Sequence, residues 1–347
     1  MKKIIRTLLL SLLPSLGAVA QDIHFSQFYM SPLNLNPAMT GVIGCDMRFS
    51  GTYRNQWASI LRSNAFKTYN ASFDMRLPVG RSDYVGIGTN IWADKAGSAG
   101  LATQQFNLSG SYLKKLGGYR SKESYLTAGA QIGVTNRSID ANKLIYGDQW
   151  DGGSGYTPVT QEVSFDPNFL FADVSAGALW FGALNRENTS NVYAGVAFHH
   201  LNRANMSFKK QKFEALYSKF VVHGGGEFAL NKKTSLLPGV LFFKQGPSFE
   251  ANFGTSVKFK FNKIRSSRQA FHLGLWMRLA GHYENAFLSD AAIISTRFDY
   301  EDFSLGLSYD VNVSSLRAAT NYNGAFEIAL NYKICNNKKR NLGCPDF

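Results

Sequence analysis

Apolar and polar residues alternate over positions 248–261, where the sequence reads SFEANFGTSVKFKF. One set of alternate positions, mostly apolar, consists of Phe249, Ala251, Phe253, Thr255, Val257, Phe259 and Phe261. The positions between them, mostly polar, are Glu250, Asn252, Gly254, Ser256, Lys258 and Lys260. A period of two predicts a β-strand with one apolar and one polar face.

The same alternation recurs along the chain, as in 302–312 (DFSLGLSYDVN) and 324–334 (GAFEIALNYKI). About fourteen such segments are predicted. They begin near Cys45, Phe66, Asp83, Thr103, Glu123, Phe169, Ser190, Tyr217, Lys233, Ser248, Gln269, Phe287, Asp302 and Gly324. Strands of soluble proteins average about five or six residues, whereas tilted membrane strands need roughly nine to eleven. Many of these segments reach the membrane length, and the count is even, as in bacterial outer-membrane barrels.

The chemistry of the two strand faces distinguishes a membrane barrel from a soluble β-sandwich. The polar faces carry Gly, Asn, Ser, Asp, Glu and Lys, and aromatic residues make up 14% of the chain, with 27 Phe and 16 Tyr. A soluble barrel would have to pack these rings inward, whereas outer-membrane barrels place them in girdles facing lipid. The prediction is an all-β protein, a transmembrane outer-membrane β-barrel of about 14 antiparallel strands, with a soluble β-sandwich as the alternative.

The segments outside the alternation predict the remaining organisation. A basic start, an apolar run and the Ala18-Val19-Ala20 sequence predict a cleaved secretory signal peptide, which implies export to the outer membrane. The predicted divisions are a signal peptide at 1–20, an N-terminal arm or plug at 21–44, a barrel at 45–334 with a long loop at 138–168, and a C-terminal tail at 335–347.

The positive charge changes this picture little. Removing the first 20 residues, which hold three cations and no acid, lowers the net charge from +13 to +10. The densest basic runs are 258–268 and 338–340. In an exported barrel, such runs favour solvated strand ends beside anionic lipid head groups, so no nucleic-acid partner is expected.

Three cysteines are present, namely Cys45, Cys335 and Cys344. An oxidising compartment permits a disulfide. Cys335 and Cys344 lie close together in sequence, so we expect these two to pair and Cys45 to remain unpaired. No spacing of these residues indicates a zinc site.

No motif predicts catalysis, a metal or a cofactor. The Asp- and Gly-rich stretch 147–155 lacks the ligand order and closing Glu of an EF-hand. The pair His199-His200 has no placed partner ligand. A GxSxG nucleophile elbow is absent, so the sequence does not favour a barrel-surface lipase.

Several blocks in order along the mature chain resemble the PorP/SprF family of type IX secretion system membrane proteins. They are QDIHFSQFYMSPLNLNPAMTG at 21–41, YRNQW at 53–57, FDPNFLFADVSAG at 165–177, HHLNR at 199–203, LGLWMR at 273–278, SYDVNVSSL at 308–316, GAFEIAL at 324–330 and CPDF at 344–347. The resemblance implies a non-enzymatic outer-membrane barrel of Bacteroidota that serves type IX secretion and gliding. It also implies periplasmic lipoprotein components and a large secreted adhesin as partners.

Residues in the arm, at a strand end, in the long loop and at the C-terminus are therefore candidate partner contacts. They are Asn34, Asn36, Pro37, Arg54, Trp57, Asp148, Trp150, Asp166 and Phe347. A porin or a hydrophobic-solute transporter is the alternative function, because its strand pattern would be the same.

Overall fold

A computed structural model describes most of the chain that follows the predicted signal peptide. The described residues are 22–117, 123–150, 155, 160, 166–184, 190–209, 212–261, 269–282, 285–335 and 344. The predicted signal peptide and the candidate contact Phe347 lie outside them.

Fourteen antiparallel strands close into one barrel in this part of the chain. They are β1 (Met47–Gln56), β2 (Phe66–Val79), β3 (Asp83–Ala96), β4 (Leu101–Gly117), β5 (Ser124–Ser138), β6 (Asn168–Ala183), β7 (Asn191–His199), β8 (Lys219–Ala229), β9 (Thr234–Gln245), β10 (Ser248–Lys260), β11 (Gln269–His282), β12 (Asn285–Tyr300), β13 (Phe303–Asn312) and β14 (Asn323–Ile334). Each strand pairs with its neighbours in sequence, and β1 pairs with β14 to close the ring. The predicted all-β barrel and its strand number are confirmed, and every strand begins within two residues of its predicted start.

The two faces of each strand are inverted relative to a soluble protein. In β10, Glu250, Asn252 and Lys258 are buried in the lumen, whereas Phe253 and Phe259 are 45% and 42% exposed on the outer surface. A lipid-facing wall has this arrangement, because hydrocarbon solvates apolar side chains and the polar ones turn inward. The direction predicted for this stretch is therefore confirmed. Among the described residues, no helix is long and apolar enough to cross a membrane.

The barrel has two chemically different ends. The connections β1–β2 (57–65), β5–β6 (139–167) and β7–β8 (200–218) meet at one end, which we call the loop end. The opposite end, the terminal end, holds the start of β1 and the finish of β14. In bacterial outer-membrane barrels, long loops face outward and short turns face the periplasm.

Residues 22–44, which we call the arm, precede β1 and lie inside the barrel. The arm has little regular structure beyond a four-residue helix, α1 (Pro32–Leu35), between two short 3-10 turns. Its contacts begin at the loop end, where Asp22 meets β9, and finish at the terminal end, where Ile43 meets β2. Most arm residues are buried, so the arm runs the length of the lumen as a plug.

Closure of the barrel decides the disulfide. Cys45 lies just before β1 and Cys335 just after β14, and their Cα atoms are 4.5 Å apart because these two strands pair. They form a disulfide across 290 residues of sequence, and Cys344 is the free thiol. The expected Cys335–Cys344 pairing is therefore wrong. Instead, Cys344 packs against the apolar cluster on the inner wall, and burial raises the pKa of its thiol to about 12.

Thiol mapping distinguishes the two pairings. In protein unfolded and alkylated without reductant, we expect a linked peptide pair containing Cys45 and Cys335, together with an alkylated Cys344, by mass spectrometry. The variant Cys344→Ser should keep the linked pair. A linked Cys335–Cys344 peptide would contradict this assignment.

Candidate functional site

The arm is held near the loop end by a carboxylate that binds its backbone. Glu327 of β14 accepts hydrogen bonds from the backbone N–H groups of Ser26 and Gln27, at 2.9 and 2.8 Å. Both carboxylate oxygens are used, one for each N–H. Because the contact is to backbone, it fixes the path of the chain rather than one side chain.

Two arginines and an aspartate complete this contact. Asp310 accepts a hydrogen bond from the Ser26 hydroxyl at 2.7 Å and pairs with Arg54 at 2.9 Å and Arg278 at 2.8 Å. Arg54 also pairs with Glu327 at 3.3 Å and donates to the Ser26 hydroxyl at 2.6 Å. We call these five residues, Ser26, Arg54, Arg278, Asp310 and Glu327, the anchor.

All five anchor residues are buried, with Asp310 and Glu327 fully inaccessible. Strand alternation turns the side chains of the four wall residues into the lumen, in the loop-end half of β1, β11, β13 and β14, where they meet Ser26 of the arm. Removing ions from water costs several kcal/mol each, so such groups are stable only when they are mutually paired and hydrogen bonded. Two cations face two carboxylates here, and the arm donates the remaining hydrogen bonds that these carboxylates accept.

A second contact holds the first described residue of the arm. His200 in the β7–β8 connection bonds to Asp173 at 2.8 Å and to Asp22 at 3.1 Å, and Lys219 lies 3.5 Å from Asp22. Burial alone would lower the pKa of His200, but the two carboxylates raise it to about 10. Although burial opposes it, Lys219 and His200 hold the pKa of Asp22 well below its usual range.

The candidate contacts Asn34, Asn36 and Pro37 lie inside the lumen. The Asn36 amide donates to the carbonyls of Ala178 and Val196 at 3.0 and 3.1 Å, and its Oδ1 accepts from the backbone of the next turn. The Asn34 side chain accepts a hydrogen bond from the Asn90 side chain. These contacts give Asn34 and Asn36 a structural role in holding the arm against the wall.

The arm packs so closely on the wall at Pro37 that the facing wall residue has to be glycine. A Cβ at Gly129 of β5 would stand 2.6 Å from the Pro37 carbonyl oxygen. Such a contact does not occur in proteins without movement of the backbone. The glycine therefore permits the middle of the arm to pack directly on β5.

At the terminal end, the arm is held by a second buried ion pair, separate from the anchor. Arg48 and Asp74 pair through two parallel hydrogen bonds of 3.0 and 2.9 Å, and Asp74 also accepts from the Gly41 N–H at 2.8 Å. Arg76 donates to the Ile43 carbonyl at 2.6 Å. Two-pronged Arg–carboxylate pairs are both strong and directional, so each end of the arm has an ionic fastening.

The remaining described candidates lie near the loop end. Arg54 belongs to the anchor, and Trp57 follows β1, where its ring packs edge-on against Phe66. Asp148 and Trp150 lie in the β5–β6 connection, where Trp150 is 53% exposed. Asp166 stands at the finish of that connection, and its N–H donates to the carbonyl of Phe208. The structure therefore separates the described candidates into a buried group, consisting of the three arm residues and Arg54, and a group in the loop-end connections.

Cavities of about 40, 70 and 30 Å³ lie beside the arm. Tyr29 of the arm stacks on Trp276 of β11 at a ring separation of 5.4 Å, and both rings line the cavity of about 40 Å³.

Sequence reasoning did not single out Ser26, Arg278, Asp310 and Glu327. Their signal was a charged residue at the inward position of an otherwise alternating strand, as in Asp310 of SYDVN and Glu327 of GAFEIAL. That pattern predicts a polar lumen. It does not show which inward charges meet, because the partners lie on different strands and on the arm.

Comparison of the sequence with family models decides the identity of the chain. The model of type IX secretion system membrane protein PorP/SprF matches residues 18–332. The chain belongs to the PorP/SprF family. The family match makes it a membrane protein of the type IX secretion system, and its closed barrel with apolar outer faces is that of an outer-membrane protein. No curated protein matches it.

Solved outer-membrane barrels are similar to this PorP/SprF chain at low sequence identity. CdiB from Acinetobacter baumannii is 7% identical with a TM-score of 0.44, and the match covers 83% of this chain and 60% of that one. The Ralstonia pickettii toluene transporter TbuX is 9% identical with a TM-score of 0.46, covering 88% of this chain and 94% of that one.

Removing one carboxylate of the anchor is expected to loosen the arm. Asp310→Asn leaves Arg54 and Arg278 with less negative charge in a buried site, a change that costs about 3–5 kcal/mol in comparable pairs. We expect the Ser26 and Gln27 amides to exchange with deuterium at least about a hundredfold faster, measured by hydrogen exchange and mass spectrometry.

A matched control removes a surface charge. Asp83→Asn breaks the pair with Lys114 outside the lumen and should leave arm exchange unchanged, since exposed pairs contribute little. Equal exchange rates in Asp310→Asn and the wild type would contradict the role of the anchor.

The His200 contact predicts a pH dependence. Because its pKa is raised from 6.5 to about 10 in the fold, its stabilisation is complete below about pH 6.5 and is lost as pH rises toward 10. Protection of amides 22–26, corrected for intrinsic exchange, should fall over this range. His200→Gln should flatten the profile, and an unchanged slope in that variant would refute the assignment.

Proposed function

We propose that this PorP/SprF barrel acts in type IX secretion as a non-enzymatic docking component. Its terminal end holds periplasmic lipoprotein components, and its loop end holds a large secreted or surface-attached protein of the adhesin class. The observation that carries the proposal is the arm, which runs through the lumen and is attached at both ends by hydrogen bonds to buried ion pairs of the wall.

A fastened plug argues against transport as the main role. A porin needs a water-filled lumen, and a solute transporter needs a continuous path. The arm runs the length of the lumen, the cavities described beside it are small, and the anchor joins the arm to the wall in the loop-end half. The surfaces at the two ends of the barrel are therefore left as the sites for binding partners.

The loop-end surface supports the assignment of a protein partner. Apolar side chains are exposed there beyond the strands, with Ile145 at 66% and Phe213 at 70% exposed, and the candidate contact Trp150 is 53% exposed. Exposed aromatic and aliphatic groups on a polar rim are typical of protein interfaces. Asp148 and Asp166 supply polar groups in the same connection.

The inward charges support a structural role rather than catalysis. Asp310 and Glu327 are engaged by two arginines and by the arm, and His200 is held between two carboxylates. A general base or nucleophile needs access to a substrate, and the arm occupies that space.

A mild-detergent pull-down of the tagged protein from its native outer membrane tests this function. We expect mass spectrometry to recover periplasmic lipoproteins and one large secreted protein, while planar bilayers containing the purified protein show no conductance. An unrelated tagged outer-membrane barrel serves as the control for both measurements. Steady conductance from a barrel that recovers no partners would overturn the proposal in favour of a channel.

A further inference from the structure

A pocket of about 70 Å³ lies at the loop end of the lumen, beside the start of the arm. Apolar walls come from Trp92 of β3 and Phe171 of β6, and from Met206 and Leu216. The last two belong to the β7–β8 connection, whose two limbs pair by backbone hydrogen bonds and cover the pocket from one side. The site is therefore a built cavity between barrel wall and loop.

Arg137 of β5 lines this pocket. Its guanidinium carbon lies 5.3 Å from the ring centre of Phe208, so one face of the group is covered by an aromatic ring. Its Nε is buried without a hydrogen-bond partner, and in the described part of the chain the side chain forms no ion pair. Stacking occupies the flat face of a guanidinium and leaves its edge for two-pronged binding of an anion.

Thr135 lies two residues earlier on the same inward face of β5. It is only 3% exposed, and its hydroxyl is buried without a hydrogen-bond partner. A buried polar atom without a partner is costly unless water or a ligand satisfies it. Thr135 thus offers a neutral donor beside the cationic edge of Arg137.

The acids that line the pocket, Asp22 and Asp94, and the acid that acts on Arg137 are already engaged. Glu214 of the β7–β8 connection, whose charge acts on Arg137, pairs with Lys212 at 2.5 Å. Asp22 binds His200 and Lys219, and Asp94 accepts a hydrogen bond of 2.6 Å from Thr68. Gln105 donates to Asp173 rather than into the pocket. Arg137 therefore remains available to an anion from outside the chain.

We propose that this pocket binds a carboxylate carried on the apolar end of a peptide. Arg137 would hold the carboxylate through its guanidinium edge, Thr135 would donate one more hydrogen bond, and the apolar walls would take the adjoining side chain. The inference rests on the proposed function, because a protein docked at the loop end would supply the peptide.

The position of the site excludes lipid head groups as its ligand. Thr135, Arg137 and Gln105 all point into the lumen, whereas lipid lies against the opposite face of the strands. A carboxylate could come from a peptide end or from a small free acid. A peptide end also brings an adjoining side chain that packs on the apolar walls.

The test measures fluorescence anisotropy of the purified full-length barrel with two labelled pools of randomised pentapeptides, one with free C-terminal carboxylates and one amidated. We expect the free-carboxylate pool to bind at least about tenfold more tightly. Arg137→Met should abolish the difference, and Thr135→Val should reduce it. Arg317→Met, which removes an exposed cation of another loop-end connection, should leave it unchanged.

Other outcomes overturn the proposal. Equal binding of the two pools, or a difference retained in Arg137→Met, would rule out the site. Competition by benzoate at the concentration at which the peptides bind would assign the pocket to small acids instead. Carboxylate binding without partners in the pull-down would refute docking but keep the site. Recovery of partners in the pull-down without carboxylate binding would refute the site but keep docking.

Discussion

The backbone of a strand in hydrocarbon must find every hydrogen bond within the protein, because no water is available there. In this chain, that requirement forces β1 to meet β14, and the rest of the structure follows from the closed ring. Closure brings Cys45 beside Cys335 and Arg54 beside Glu327, although each pair is distant in sequence. It also turns fourteen polar faces toward one enclosed space.

A ring of this size leaves more space than its own inward side chains fill, and the arm occupies the remainder. Buried ion pairs seldom stabilise a fold relative to apolar packing. They specify a geometry, because a displaced arm would leave Arg54, Arg278 and Asp310 without complete hydrogen bonding in a site that excludes water. The seat of the arm is therefore defined at both ends, by the anchor and by the Arg48–Asp74 pair.

This division of labour fits a secretion component. The outer wall faces lipid and the arm occupies the lumen, so the two ends of the barrel are the surfaces available for the proposed partner contacts. At the loop end, exposed apolar groups lie near a pocket that contains the stacked guanidinium of Arg137. One connection, β7–β8, contributes to both the His200 contact and this pocket, so the arm and the loop-end surface are structurally continuous.

The sequence alone determined the strands, because alternation is a local property: each residue's face follows from its neighbours two positions away. The strand starts and the lipid-facing direction of Phe253 were predictable for this reason. Only the tertiary structure decided which inward groups meet. Proximity in sequence favoured Cys344 as the partner of Cys335, but barrel closure selected Cys45. Likewise, Asp310 was predictable as a lumen residue, whereas its contacts with Arg54, Arg278 and Ser26 depend on closure and on the path of the arm, neither of which is encoded in local periodicity.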